Sequence, residues 1–141
     1  MINFSERRAR LKQDCSLFVI AGNDALHAEH AESAVLAARR AIEVSPWSDN
    51  AWIALAVTLG ELGNTEDAVE AYGEAYRRNP NSSRTARLYA GSLVKSGKDP
   101  LVTLRVLQNA HKLLPNDGYI LEEWLKAEME TGSPQRALLE R

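Results

Sequence analysis

The sequence predicts an all-α fold built as a stack of antiparallel helix pairs. Three observations carry that expectation. Alanine, leucine, glutamate and arginine are plentiful while aromatic residues make up only 6%, a balance that favours helix over sheet. Apolar residues recur at helical spacing in short segments that end at Pro46, Pro80 and Pro115 or turn at Gly63, Gly97 and Gly132. The segments also resemble one another at a shift of about 34 residues.

The 141 residues suit one compact domain, 45% hydrophobic and 26% charged. A net charge of −2 gives no overall pull toward nucleic acid or a membrane surface. Cys15 is the single cysteine, so a disulfide framework is excluded and a cytoplasmic, reducing setting is expected. No apolar run approaches the roughly 18–20 residues of a membrane span. The run Cys15 to Gly22 is a poor signal-peptide core, because Glu6 and Asp14 precede it and no small-residue cleavage site follows at the right distance.

Residues 1–14 read as an N-terminal helical extension that leads into the next helix or frays as an arm, with Ser5 available as a cap. Its Arg7, Arg8, Arg10 and Lys12 lack interleaved aromatics and suit a solvated face better than a nucleic-acid arm. Cys15 to Ala28 follows with Phe18, Ala21, Ala25 and Ala28 on one stripe, and Gly22 inside the helix as a close-packing site. A turn at Glu29 to Ala31 precedes a helix from about Glu32 to Val44 with Ala34, Ala38, Ala41 and Ile42 inward. Pro46 ends it, since proline neither continues a helix nor favours helix in the residue before it.

Ser48 or Asp49 caps a third helix to Glu61, and Gly63-Asn64 turns the chain. Thr65 is expected to cap a fourth helix to Arg78, with Glu66 and Asp67 at its positive end and Arg77 and Arg78 at its negative one. A fifth helix runs from Asn81 or Ser82 to Ser96. Asp99 caps the sixth, with Pro100 at the first helical position, where its missing donor costs nothing. Asn116-Asp117-Gly118 leads into a seventh helix to about Glu130, and Gly132-Ser133-Pro134 into a last short helix ending at Arg141.

Aligned at the repeat, Phe18 falls on Trp52, Ala21 on Leu55, Gly22 on Ala56, Ala34 on Ala68, Ala38 on Tyr72, Ala41 on Ala75 and Pro46 on Pro80. Thr103, Leu107, Ala110 and Pro115 come into register after one extra residue, and Trp124, Leu125, Gly132 and Ala137 follow. Residues 49–82, DNAWIALAVTLGELGNTEDAVEAYGEAYRRNPNS, hold the clearest copy: Trp52, Leu55, Ala56, Gly63, Ala68, Tyr72, Ala75 and Pro80. This pattern resembles the tetratricopeptide repeat family. The repeats are 15–48, 49–82, 83–115 and a partial 116–141, within a domain of 15–141. The resemblance implies an α-solenoid wound as a right-handed superhelix. Each hairpin leaves an apolar face that only a neighbour buries. The alternative, a non-repetitive helical bundle, leaves the phased glycines and prolines without a reason.

The resemblance further implies that the first helix of each repeat lines a concave groove holding an extended peptide or a helix. Carried over, that groove takes Val19, Asn23, Leu26 and His27, then Asn50, Ile53, Ala54 and Val57. Arg84, Arg87, Leu88, Gly91 and Lys95 follow, and then Tyr119, Glu123 and Lys126. One ligand mode of the family clamps the C-terminal carboxylate of chaperones with lysines, asparagines and an arginine. Asn23 and Arg84 occupy matching slots, but Val19, Ala54 and Leu88 replace a lysine, an asparagine and the arginine, so chaperone-tail binding is not expected.

Charge is uneven. Residues 83–115 set Arg84, Arg87, Lys95, Lys98, Arg105 and Lys112 against Asp99 alone, whereas 49–82 and 116–141 are net acidic. A peptide with apolar anchors followed by acidic residues would complement such a groove. Attraction between basic and acidic repeats accounts for the pattern equally well.

No phosphate-cradling glycine loop and no nucleophile–base motif is present, so neither catalysis nor a cofactor is expected. His27, His30 and Glu29 lack a third ligand at a telling distance and, with His111, read as surface residues rather than a metal site. Cys15 reads as a structural thiol. Trp47, just after Pro46, packs on a neighbouring turn or, if exposed, offers an anchor for a partner. The expected function is a non-catalytic adaptor binding a protein or peptide. The alternative is a structural module whose open C-terminal face, helix 116–130, drives self-association or belongs to a longer chain.

Overall fold

The structure, a computed structural model, describes residues 4–27 and 30–131. These form seven α-helices and no strand: α1 (Phe4–His27), α2 (Ala31–Val44), α3 (Asp49–Glu61), α4 (Thr65–Arg78), α5 (Ser83–Ser96), α6 (Pro100–Leu113) and α7 (Gly118–Thr131). The chain divides into two compact units, Met1–Asn79 with α1 to α4 and Pro80–Arg141 with α5 to α7. Within each unit consecutive helices pack as neighbours.

The lead-in is continuous with the first repeat helix. Because α1 runs unbroken from Phe4, Ser5 lies inside it and does not cap it. The expected turn at 29–31 falls partly, and the last short helix wholly, outside the described residues. Thr65 is also inside its helix, with Asn64 at the cap position. Ser82 caps α5 as expected, its hydroxyl accepting from the Thr85 N–H at 3.3 Å. Asp99 precedes Pro100 in a left-handed conformation, φ 49°, and its side chain makes no capping bond. Gly63 and Gly97 take positive φ at the ends of α3 and α5, a backbone conformation strained for residues with a side chain.

The core of the first unit is alanine-lined. Ala38, Ala54, Leu55, Ala56, Leu59, Ala68 and Ala71 form one buried cluster, closed by Trp52, Tyr72, Val19, Val35 and Ile42. Cys15, Ala41 and Ala51 form a second, against Phe18, Val19 and Val44. Alanines at the crossing points let helix axes approach, and the aromatics fill what remains. Gly22 does the same for α1: a methyl there would touch the Ala37 Cβ at 3.4 Å and the Ala34 carbonyl at 3.5 Å. Ala21, expected inward, is exposed, and Cys15, Val19 and Gly22 take that stripe.

Pro46 and Pro80 are each tied to the hairpin that follows them. The Pro46 carbonyl accepts from the Trp52 indole N–H at 3.1 Å and from Arg78 Nε. The Arg78 guanidinium lies over the Trp52 ring, 4.5 Å from its centre, and pairs with Glu74 at 2.6 Å. In the second unit the Pro80 carbonyl accepts from the Asn109 amide at 3.0 Å.

The second unit buries Ala86, Ala90, Leu93, Val106, Leu107, Ala110, Ile120 and Ala127. His111, expected at the surface, lies against Trp124 with ring centres 5.0 Å apart. Its Nδ1 and the Trp124 indole nitrogen are buried without a hydrogen-bond partner among the described residues. Leu125, assigned to a repeat position, is 50% exposed, and Ile120 and Ala127 supply the α7 core instead.

Candidate peptide-binding faces

Helical spacing decides which side chains share a face. On α5, Arg84, Arg87, Leu88, Gly91 and Lys95 recur three and four residues apart and form one ridge. On α7, Tyr119, Glu123 and Lys126 do the same. The two helices touch, and their ridges meet at a specific pair. Arg87 Nε donates to Asp117 Oδ2 at 2.7 Å, and the guanidinium carbon stands 5.6 Å from the centre of the Tyr119 ring. The other oxygen of Asp117 accepts from the Ile120 N–H at 3.2 Å, capping α7. The Arg87 hydrogen bond, and then the one from Ile120, hold the Asp117 carboxyl below its ordinary range. Arg87 remains half exposed while so oriented.

The same face carries Arg84, Lys95 and Lys126, all exposed. Lys126 Nζ lies 3.3 Å from Glu122 and 3.5 Å from Glu123, one turn back on its own helix. The Glu122 contact and then the charges of both acids raise its pKa. Beyond Lys126 a cleft of about 140 Å³ opens between the end of α5, the start of α6 and α7. Val94, Leu107 and Ala127 give it an apolar lining, with Lys98, Glu123 and Glu130 also on its wall.

The first unit offers less. Asn23 and Asn50 are exposed, and Val57 is half-buried. Val19 packs against both core clusters. Ile53 and Ala54, expected to line a groove, are buried at 3% and 7% exposure. Their helix α3 is the most apolar of the seven and turns seven residues inward, so its expected ligand face is largely core. The side chains of Leu26 and His27 lie outside the described residues. Trp47 is exposed at 57% on the turn before α3.

Sequence reasoning did not single out Val94 or Glu130, and read Asp117 only as part of a turn. Asp117 stands in a turn triplet that reads as a helix cap, and nothing local announces a partner thirty residues upstream.

The comparisons agree on the fold. Residues 49–93 match the family model described as tetratricopeptide repeat. No curated protein matches the sequence. Among solved structures, the chain is similar to the first tetratricopeptide repeat domain of Spaghetti (RPAP3), solved bound to the HSP90 peptide SRMEEVD. The two are 14% identical over 86% of this chain and 98% of that one, with a TM-score of 0.71. It is similar to the TPR2B domain of yeast Sti1, solved in complex with pHsp70, at 18% identity over 84% and 98%, TM-score 0.67. It is similar to MamA protein at 13% identity over 86% and 66%, TM-score 0.74. Residues 49–93 thus match the model of a tetratricopeptide repeat, and the chain has the all-α fold of tetratricopeptide-repeat domains.

Proposed function

We propose that the chain is a non-catalytic adaptor, and that the α5–α7 face of its second unit receives an extended peptide carrying acidic residues beside an apolar anchor. The observation that carries this reading is Arg87: half exposed, steered by Asp117 and Tyr119, and placed on the ridge that also holds Arg84 and Lys95. A guanidinium already fixed in position loses little side-chain freedom on meeting a ligand carboxylate. The cleft by Val94 and Ala127 has the dimensions of an aliphatic side chain. Neighbours of the same fold solved with an HSP90 peptide and with pHsp70 lend the reading support by analogy of fold. The incomplete carboxylate clamp argues against those same ligands here. A cytoplasmic setting belongs to this reading, and fractionation of the source cell tests it.

The test is the double variant Arg84→Glu, Arg87→Glu. The anisotropy rise of a fluorescein-labelled Leu-Glu-Glu-Glu-Leu peptide on binding should be lost while helicity by circular dichroism is kept. Undiminished binding overturns the reading.

A second reading rests on Leu121, Leu125 and Met129, which line one exposed side of α7 at four-residue spacing. Such a stripe suits self-association. It requires concentration-dependent mass in light scattering that Leu125→Glu abolishes, and a strictly monomeric wild type overturns it.

A further inference from the structure

The exposed stripe of α7, Leu121, Leu125 and Met129, is bordered by acids on both sides. Glu122 stands three residues before Leu125, and Glu128 three residues after it. The helix carries Glu122, Glu123, Glu128 and Glu130 against Lys126 alone. Lys126 is shared between Glu122 and Glu123, so α7 keeps an excess of acid. Laid against the same stripe of a second copy, it would oppose like charges.

The neighbouring helix holds the opposite combination. α6 contains no acid, and its outer stripe runs Leu101, Arg105, Gln108 and Lys112 at spacings of four, three and four residues. Leu101 is 69% exposed, and Val102, Arg105 and Lys112 are exposed beside it. Neither Arg105 nor Lys112 forms an ion pair among the described residues. The stripe is about 16 Å long, against about 12 Å from Leu121 to Met129. At these exposures the apolar side chains add little to the fold of a single chain. Other basic surfaces match α7 less well. The α5 ridge exposes no large apolar side chain among the described residues. α1 exposes Leu17 and Ile20, but mixes its cations with Glu6, Asp14 and Asp24.

We infer that two copies of the chain pair crosswise, α7 of each lying against α6 of the other. Glu122 and Glu128 then meet Arg105 and Lys112, and Leu101 and Val102 cover part of the α7 stripe. Charge complementarity identifies the occupant, since α7 on α7 or α6 on α6 would set like charges together. The contact occurs twice about a two-fold axis and engages both helices of each copy, so the assembly closes at two chains. The inference rests on the self-association reading above and adds the surface that receives α7.

The experiment is sedimentation velocity over a dilution series of the full chain, with helicity checked by circular dichroism. One variant reverses α6 (Arg105→Glu, Lys112→Glu) and another reverses α7 (Glu122→Lys, Glu128→Lys). Each alone should dimerise about tenfold more weakly or not at all. Mixed in equal amounts they should dimerise again, because each then offers the charge that the other lacks. Arg105→Gln, Lys112→Gln, which removes charge without reversing it, should weaken the dimer by a smaller factor. A mixture that stays monomeric overturns the crosswise pairing, as does mass that grows beyond two chains. If Leu125→Glu abolishes the dimer and the α6 reversal leaves it intact, the role of α6 falls and the self-association reading stands. A monomeric wild type overturns both.

Discussion

Asp117 serves two helices at once: one carboxylate oxygen holds Arg87 on α5 and the other caps the first turn of α7. The two roles separate by substitution. Asparagine keeps a capping oxygen but loses the charge, whereas alanine loses both. Asp117→Asn should cost about 0.5–1 kcal/mol, because the half-exposed Arg87 is partly screened by solvent. Asp117→Ala should cost about 1–2 kcal/mol with the cap added. Urea unfolding at low and high salt checks both, with salt narrowing the gap between wild type and Asp117→Asn.

The same carboxyl sets a pH response. Its folded pKa is lowered, so its contribution is fully present above the unfolded value of about 3.9 and is lost as pH falls through the folded pKa. Glu74, lowered first by its bond from Arg78, adds a second contribution of the same sign. Stability should therefore decline on the acid side of about pH 4. The decline should be shallower in Asp117→Asn and shallower again with Glu74→Gln added. Parallel curves for all three proteins would remove both carboxyls from the acid response.

In the first unit, Arg78 meets the Trp52 ring, the Pro46 carbonyl and Glu74 together. Arg78→Ala should lose about 1–2 kcal/mol through the cation–π and hydrogen-bond terms. Arg78→Lys should recover only part of it, since a single ammonium nitrogen cannot both stack on the indole and donate to the carbonyl. Trp fluorescence during guanidinium unfolding provides the comparison, and full recovery by lysine would contradict the planar stacking.

Leu107 is wholly buried in the second unit. Leu107→Ala should cost about 2–5 kcal/mol, the range for a large-to-small change that leaves a cavity. A cost below about 1 kcal/mol by calorimetry would mean that α6 is not seated as described. Leu101, exposed at the second position of α6, is the control, and Leu101→Ala should be close to neutral.

Helix positions were legible in the sequence because each boundary is a local event. Pro46, Pro80 and Pro100 each forbid or favour one backbone state, and Gly63 and Gly97 supply the positive φ that ends a helix. The alanines at Ala34, Ala38, Ala41, Ala68 and Ala75 were legible as core because the repeat places them in phase, and all five are buried. What failed was the division of one helix between core and ligand. Ile53 and Ala54 carry the repeat phase of a binding face, yet α3 is buried on more than one side, and the pattern along a single helix does not reveal how many neighbours it has. His111 and Leu125 exchanged their expected environments for the same reason. The basic ridge of α5 was visible as composition, but its link to Asp117 depends on a contact between helices that no local spacing encodes.

The proline carbonyls act as a gauge of hairpin length. Arg78 reaches the Pro46 carbonyl from 32 residues downstream, and the shorter Asn109 side chain reaches the Pro80 carbonyl from 29, about one helical turn earlier. Inserting a single residue into α4 or α6 would rotate that donor by about 100° around its axis and take it off the carbonyl. Indels should therefore be tolerated in the turn at Gly63-Asn64 and selected against within the second helix of a pair. Hairpins exchanged between such proteins by recombination would keep this closure only if cut from proline to proline.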